Sequence, residues 1–479
     1  MIANRTGIIL SPDPRRVIFR PFQIEPHRVV KIISRVMSLD NEQVDTELEL
    51  VMREFRGRHL NAHRYFLRRF DQVREHLLTD GEPSESRCLL IGAYFTMEYS
   101  LESAALFNPS MVWHPQQMGM RPGERRFIIS MRATGEGHLS SITFRSGVID
   151  ADCNIGMDPV SQYVSAPELV PDAEYDANLF RRKLSELGLR GDFVDSVLSE
   201  CQSRFTSAEL ERAIEWHTSQ ANFDLAEIDT HLRAMRLLIA CNYSIQFDKE
   251  QKLSERVMMP TSPSERNGIE DARFVKFHDG DSSKYLATYS AYDGKIVLPQ
   301  IIETEDFEYF SVNTLNGLAV QNKGFALFPR KIDNQFVMLG RQDGENIYIM
   351  FSNSLHFWNE KTRILQPTFP WEFVQLGNCG SPIETEKGWL VLSHGVGPMR
   401  RYSLGAFLLD LNDPTKVLGR TREPILTPDQ NEREGYVPNV VYSCGGLVNG
   451  NRLVIPYAMS DYASSFATIN INDVLAEMQ

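Results

Sequence analysis

The spacing of apolar positions changes three times along the chain, and each change marks a boundary. In the first hundred residues the period is helical. Val29, Val30, Ile32, Ile33, Val36 and Met37 share one face, and Phe66, Leu67, Phe70, Val73 and Leu77 share another. From about Ser86 to Leu106 the run is apolar nearly all round. It predicts a buried helix ended by Asn108-Pro109, because a residue before proline avoids the helical region. The pattern then turns to strand at Arg125–Arg132, with Ser141–Arg145 as its partner. Helical spacing returns between about Glu174 and Cys241. There Phe193, Val194, Val197, Leu198 and Cys201 form a face, and Thr206-Ser-Ala-Glu209 reads as a capping box opening a further helix. From about Asn267 onward, short apolar runs broken by Asp-Gly and Asn-Gly predict strands almost throughout.

A degenerate repeat runs through the β region: a turn, a polar residue, then an apolar strand. It reads Lys284-Tyr-Leu-Ala-Thr, Gln335-Phe-Val-Met-Leu, Gly388-Trp-Leu-Val-Leu and Arg452-Leu-Val-Ile-Pro, and Arg126-Phe-Ile-Ile-Ser fits the same template before the helical stretch. Five units of roughly 50 residues suit a five-bladed β-propeller, although a β-sandwich with irregular loops would produce similar strands. The predicted class is mainly β: a five-bladed propeller with an N-terminal helical region (1–107), a first blade (108–165), a helical insertion (166–250) and the remaining blades (251–479). In such a fold, polar residues at equivalent places in several blades converge on a central pocket.

Charge narrows the partners. Lys and Arg number 50 against 63 Asp and Glu, a net charge of −13, which argues against nucleic acid or an anionic membrane surface as the main partner. The six cysteines form no C-x-x-C pair and suit a reducing compartment. The N-terminus lacks an apolar stretch of signal-peptide length, and no run of about 18 apolar residues exists, so a cytoplasmic protein is expected. No HExxH, EF-hand or Gly-x-Ser-x-Gly motif is present, so neither a metal site nor a serine nucleophile is expected. Gly135-Glu-Gly-His138 and the glycines near 377–380 only loosely resemble phosphate loops and read as turns.

Three polar clusters stand out. Asn267-Gly-Ile-Glu-Asp-Ala-Arg-Phe274 places two carboxylates and an arginine at a strand. Neighbours on a strand face opposite sides, so Glu270 and Asp271 should differ in role, one inward and one structural. An inward Asp271 suits a general acid; a turn with a Glu–Arg ion pair fits the same residues. Lys323-Gly-Phe-Ala-Leu-Phe-Pro-Arg-Lys331, with Arg341 one hairpin later, gathers cations in an acidic chain: an anion site or a solvated hairpin face. His394 ends the strand Gly388–Ser393, with Arg401-Tyr402 beyond, and is either a ligand contact or a structural histidine.

Taken in order, these runs resemble glycoside hydrolase family 130, the β-mannoside phosphorylases and β-mannosidases. The resemblance rests on Gly268–Arg273, Lys323–Ile332 leading to Arg341, Gly388-Trp-Leu through His394-Gly, and Gly435–Val441, with Asn108-Pro109 and Met131-Arg132 like the family's first blade. It covers about 108–150 and 260–475 and implies a five-bladed propeller. It assigns Asp271 as the general acid, working through a sugar hydroxyl. It gives phosphate contacts to Lys323, Arg341, His394 and Tyr402, and mannosyl contacts to Asn108, Arg132 and Asp461. Two positions depart from the family pattern: Ala272 replaces a common proline, and Gln375 stands where the phosphorylases usually have a lysine.

The resemblance implies an inverting phosphorylase that cleaves β-mannosides with inorganic phosphate to give mannose 1-phosphate. It needs no cofactor beyond phosphate as co-substrate. The alternatives are an inverting β-mannosidase, for which Glu432 or Glu434 is the candidate second carboxylate, and a non-catalytic sugar-binding or glycosyltransferase-like propeller. The helical segments should pack together beside the propeller and offer a homo-oligomer interface.

Overall fold

The structure, a computed structural model, describes residues 2–79, 81–171, 173–220 and 225–478. Residues 221–224, inside the stretch expected to be helical, lie outside the described residues, as do Met1, Asp80, Asp172 and Gln479.

Five antiparallel sheets carry most of the strands. The first runs from Ala105–Trp113 through Arg125–Thr134 and Ser140–Ile149 to Val257–Met258. The second runs from Ile269–Asp279 through Ser282–Tyr292 and Val297–Thr304 to Tyr309–Thr314, and is extended by Tyr243–Gln246 and Glu168–Val170. The third comprises Ala326–Leu327, Phe336–Gly340, Ile347–Ser352 and Thr362–Leu365. The fourth comprises Gln375–Asn378, Gly388–Val396, Tyr402–Leu409 and Val417–Arg420. The fifth starts at Val441–Tyr442, continues through Arg452–Met459 and Ala463–Asn470, and takes Asn4–Leu10 as its fourth strand. Each repeat segment read from the sequence falls in the second strand of a different sheet.

The sheets are buried on both faces, which explains why their strands read as near-continuous apolar runs. Side chains alternate between two cores. In the first sheet Ile128 joins Phe144, Phe274 and Phe307, in the core shared with the second sheet. Its neighbours Phe127 and Ile129 face Val454 and Phe466 of the fifth. In the third, Met338 packs with Val275 and Leu286 of the second sheet, whereas Val337 and Leu339 pack with Trp389 and Val391 of the fourth. Leu390 and Leu392 meet Leu453 and Ile455 of the fifth. Apolar clusters thus link each sheet to the next and the fifth back to the first, forming a ring.

The N-terminal hundred residues are not helical throughout. Helices span Pro26–Met37, Asn41–Phe55, Ala62–Val73 and Glu85–Tyr94. The expected helix to Leu106 instead ends at Tyr94 and gives way to the strands Thr96–Ser100 and Ala105–Trp113, with Asn108-Pro109 inside the second. A segment apolar on every side gives no period by which to tell helix from strand. Asn4–Leu10 was also unforeseen. It pairs with residues more than 450 positions away and is pinned by the Arg5 guanidinium, which donates to Glu432 at 2.8 and 2.7 Å. Tyr457 donates to the same carboxylate at 2.6 Å. Residues 1–107 therefore contribute to the ring as well as to the helices.

The insertion carries helices Ala177–Glu186, Asp192–Ser199, Ser207–Ser219 and Leu225–Ala240. Thr206 and Glu209 exchange the two capping hydrogen bonds expected of them. The insertion hangs on the second sheet by its flanking strands and by Lys183, which donates to the Leu315 carbonyl, and Glu186, which accepts from the Gly317 N–H. It was expected to pack with the N-terminal helices. Each group instead closes its own core, Phe180, Val197, Leu210 and Met235 in the insertion and Ile33, Phe70, Leu90 and Phe95 in the N-terminal set. Among the described residues no helix is long and apolar enough to cross a membrane.

Candidate active site

Within each sheet the first and second strands are antiparallel, so the start of the first strand and the end of the second lie at the same end of the sheet. The polar residues singled out in the sequence collect at that end. Asn108 and Asp271 sit early in the first strands of the first and second sheets. Arg132, Arg341, His394 and Asp461 lie at or just beyond the ends of second strands.

Asn108 and Asp271 each occupy a break in register, between Phe107 and Ser110 and between Glu270 and Arg273. Both take left-handed backbone angles, with φ of 50° and 56°, which Asn and Asp tolerate better than other side chains. The Asn108 amide donates to Asp271 Oδ1 at 2.6 Å. The bulge also corrects the expectation that Glu270 and Asp271 face opposite sides: an extra residue restores both carboxylates to one cluster. Arg132 donates to Glu270 Oε1 at 3.0 Å and lies 3.8 Å from Asp271 Oδ1. Lys323 reaches Glu270 Oε2 at 3.4 Å. Arg273 is buried and braces the bulge. It donates to the Asp271 carbonyl at 3.1 Å, the Cys379 carbonyl at 2.6 Å and the Tyr442 hydroxyl at 2.7 Å.

Burial alone would push the Asp271 carboxyl up. Arg132, Arg273 and Lys323, with the Asn108 hydrogen bond, outweigh it and hold the group below its ordinary value. Asp461, at φ 51° in the turn after Arg452–Met459, behaves oppositely. Burial and the nearby Asp271 charge push it up to about 6, against the pull of Arg132 and Arg400.

The cation side is built differently. Arg341 is 9 % exposed and its side chain makes no ion pair or hydrogen bond among the described residues, leaving Nε buried without a partner. Its stem threads between two glycines. A Cβ at Gly324 would come within 2.9 Å of Arg341 Cγ, and one at Gly377 within 2.9 Å of Cδ and 2.5 Å of His394 Cε1. Gly377 lies in the strand Gln375–Asn378, so the glycines there serve close packing as well as turns. His394 is fully buried, and burial, Arg341 and Arg273 hold its imidazole neutral, well below its ordinary value. It offers a neutral ring nitrogen and no second cation. Gln375 Nε2 lies 3.5 Å from its Nε2. The half-buried Tyr402 stacks on the ring at 6.0 Å, and Tyr442 meets it edge-on at 4.9 Å. The other two cations of the run leave the site: Arg330 pairs with Glu384 and Lys331 with Asp279.

The sequence residues Asn108, Arg132, Asp271 and Lys323 are joined by direct contacts or through Glu270. Arg341, His394 and Tyr402 join them through Tyr442 and Arg273. Tyr442 was not anticipated; a tyrosine in an apolar strand carries no mark of its partner. Glu432, weighed as a second carboxylate, is buried on Arg5 and Tyr457, and Glu434 is exposed.

Comparison with known proteins shows the family. The sequence profile of glycoside hydrolase family 130, described as beta-1,4-mannooligosaccharide phosphorylase, matches residues 231–479. The chain belongs to this family. It is 34 % identical over 258 residues to the 1,2-beta-oligomannan phosphorylase of Thermoanaerobacter sp. strain X514, covering 52 % of this chain and 84 % of that protein. It is 33 % identical over 230 residues to the beta-1,2-mannobiose phosphorylase of Listeria innocua, covering 46 % and 63 %. Among solved structures, the chain is similar to a beta-1,2-mannobiose phosphorylase from Listeria innocua in complex with beta-1,2-mannobiose, with 25 % identity, a match covering 78 % of this chain and 92 % of that one, and a TM-score of 0.46.

Proposed function

We propose that the protein is an inverting phosphorylase of β-mannosides, its five sheets the blades of a propeller and its site at one end of the central axis. The ring of apolar clusters supports the propeller reading. The observation that carries the phosphorylase reading is Arg341: a buried guanidinium without a carboxylate is costly unless an anion completes it. Lys323, one residue before the Gly324 that packs on Arg341, supplies a point charge, and the neutral His394 and Gln375 supply weaker donors.

In this reading Asn108, Arg132 and Asp461 hold the mannosyl unit and phosphate attacks the anomeric carbon from the side of Arg341. Asp271 supplies the proton for the departing sugar by way of a mannosyl hydroxyl. Ionised in the free site, it gains a proton more readily once phosphate neutralises Lys323 and the sugar excludes water. A hydrolase needs a second carboxylate as base. Glu432 is spent on the N-terminal strand, which leaves Asp461 or the doubly paired Glu270 for that role.

The test is incubation with β-1,2- and β-1,4-linked mannooligosaccharides, with and without phosphate. Phosphate-dependent formation of α-mannose 1-phosphate is expected. Free mannose released at the same rate without phosphate would replace this reading with the hydrolase.

A further inference from the structure

The segment Gly435-Tyr-Val-Pro-Asn439 carries part of the family resemblance, yet none of its side chains enters the contacts above. It lies against the turn that bears Asp461: Val437 N–H donates to the Ser460 carbonyl at 3.1 Å, and a Cβ at Gly435 would stand 2.3 Å from that carbonyl oxygen. So anchored, the segment leaves Tyr436 63 % exposed, with its ring 5.2 Å from that of His138. Tyr462, next to Asp461, is 47 % exposed. His138 and Tyr462 sit in the turns joining second and third strands of the first and fifth sheets, at the site's end of the ring. His138, Ser460 and Asp461 hold left-handed backbone angles of 59°, 47° and 51°. Such angles cost about 1–2 kcal/mol for a non-glycine residue and concentrate at ligand clamps.

The position of these rings relative to the cations decides their use. Lys323 and Arg341 belong to the third sheet, and Gln375 and His394 to the fourth. In a ring of five, the junction of the fifth and first sheets lies across the axis from them. Displacement at an anomeric carbon with inversion brings the nucleophile in on one side and sends the leaving group out on the other. We propose that Tyr436, braced by His138, together with Tyr462, forms the surface on which the leaving-group saccharide stacks. This rests on the phosphorolysis reading above. An exposed phenol ring suits the ligand: its face takes the C–H side of a pyranose while its hydroxyl stays in water.

The test is direct binding to the intact protein, separate from turnover. Mannose, β-linked mannobiose and β-linked mannotriose are titrated into wild type, Tyr436→Ala, Tyr436→Phe and Tyr462→Ala. Mannobiose and mannotriose should bind about 3- to 10-fold more weakly to each alanine variant, the usual worth of an aromatic contact. Mannose should bind unchanged, and Tyr436→Phe should keep the wild-type affinity. Unchanged mannotriose binding in both alanine variants overturns the proposal. So does an equal loss for mannose, which marks a general disturbance of the site, and so does absence of saccharide binding by wild type. Release of free mannose instead of mannose 1-phosphate would remove the phosphorolysis reading and leave this binding result standing.

Discussion

The two halves of the site contrast in how their charges are satisfied. On the side of the first and second sheets the carboxylates have partners: Asp271 is held by Asn108, and Glu270 by Arg132 and by Lys323, which reaches across from the start of the third sheet. On the side of the third and fourth sheets, Arg341 has a fitted channel between Gly324 and Gly377 and no counter-charge among the described residues. The first arrangement balances its charges but leaves Asn108 Oδ1 and Arg132 Nε without hydrogen-bond partners among the described residues, which suits a neutral, hydroxyl-rich ligand. The second buries a positive charge that no described residue compensates. Had both halves been neutral, nothing in the geometry would favour phosphate over water.

The contrast breaks most sharply at Asp271. Asp271→Asn keeps the shape and tolerates the left-handed backbone, and it should lower turnover about 10²- to 10⁴-fold, the usual worth of a general acid. Product release in stopped assays checks this; a loss under threefold would remove Asp271 from the chemistry. Arg341→Ala should raise the KM for phosphate about 10- to 100-fold, in line with about 1.5–3 kcal/mol for a charged hydrogen bond, while the saccharide KM moves little. Equal rises in both would mean that the two halves are not separate.

A pH test sharpens the carboxylate half. Asp461 is pushed up to about 6 from an ordinary 3.8. Its folded form keeps a proton that the unfolded chain has released, so wild-type stability falls as pH rises between about 4 and 6 and stays reduced above. Asp461→Asn removes that loss. It should be more stable than wild type by about 1–2 kcal/mol at pH 8, discounted from about 3 for a fully buried group, with the gain shrinking toward pH 4. Thermal unfolding across that range would show it; a pH-independent difference would contradict the assignment. The smallest effect is expected from Gln375→Lys, which adds a cation beside His394. It should lower the phosphate KM about 3- to 10-fold, and a KM that stays the same or rises would exclude Gln375 from the anion site.

Much of this was legible in the chain. Helical periods located the helices near 26–37, 62–73 and 177–240, and the capping pattern at Thr206 and Glu209 predicted its own hydrogen bonds. The recurring apolar segments located the second strand of all five sheets, because strands buried on both faces keep a composition that survives loop variation. The order of motifs named the family and the residues that carry charge. Tertiary structure alone decided the rest. It converted the region after Tyr94 to strand and sent residues 4–10 to the fifth sheet, since pairing across such distances leaves no local period. It turned Glu270 and Asp271 to one side through a bulge that no single-strand alternation foretells. It buried Arg341 without a partner among the described residues while pairing Glu270 twice. The charges are written in the sequence; which of them are already compensated depends on distance and burial, and those exist only once the sheets have closed.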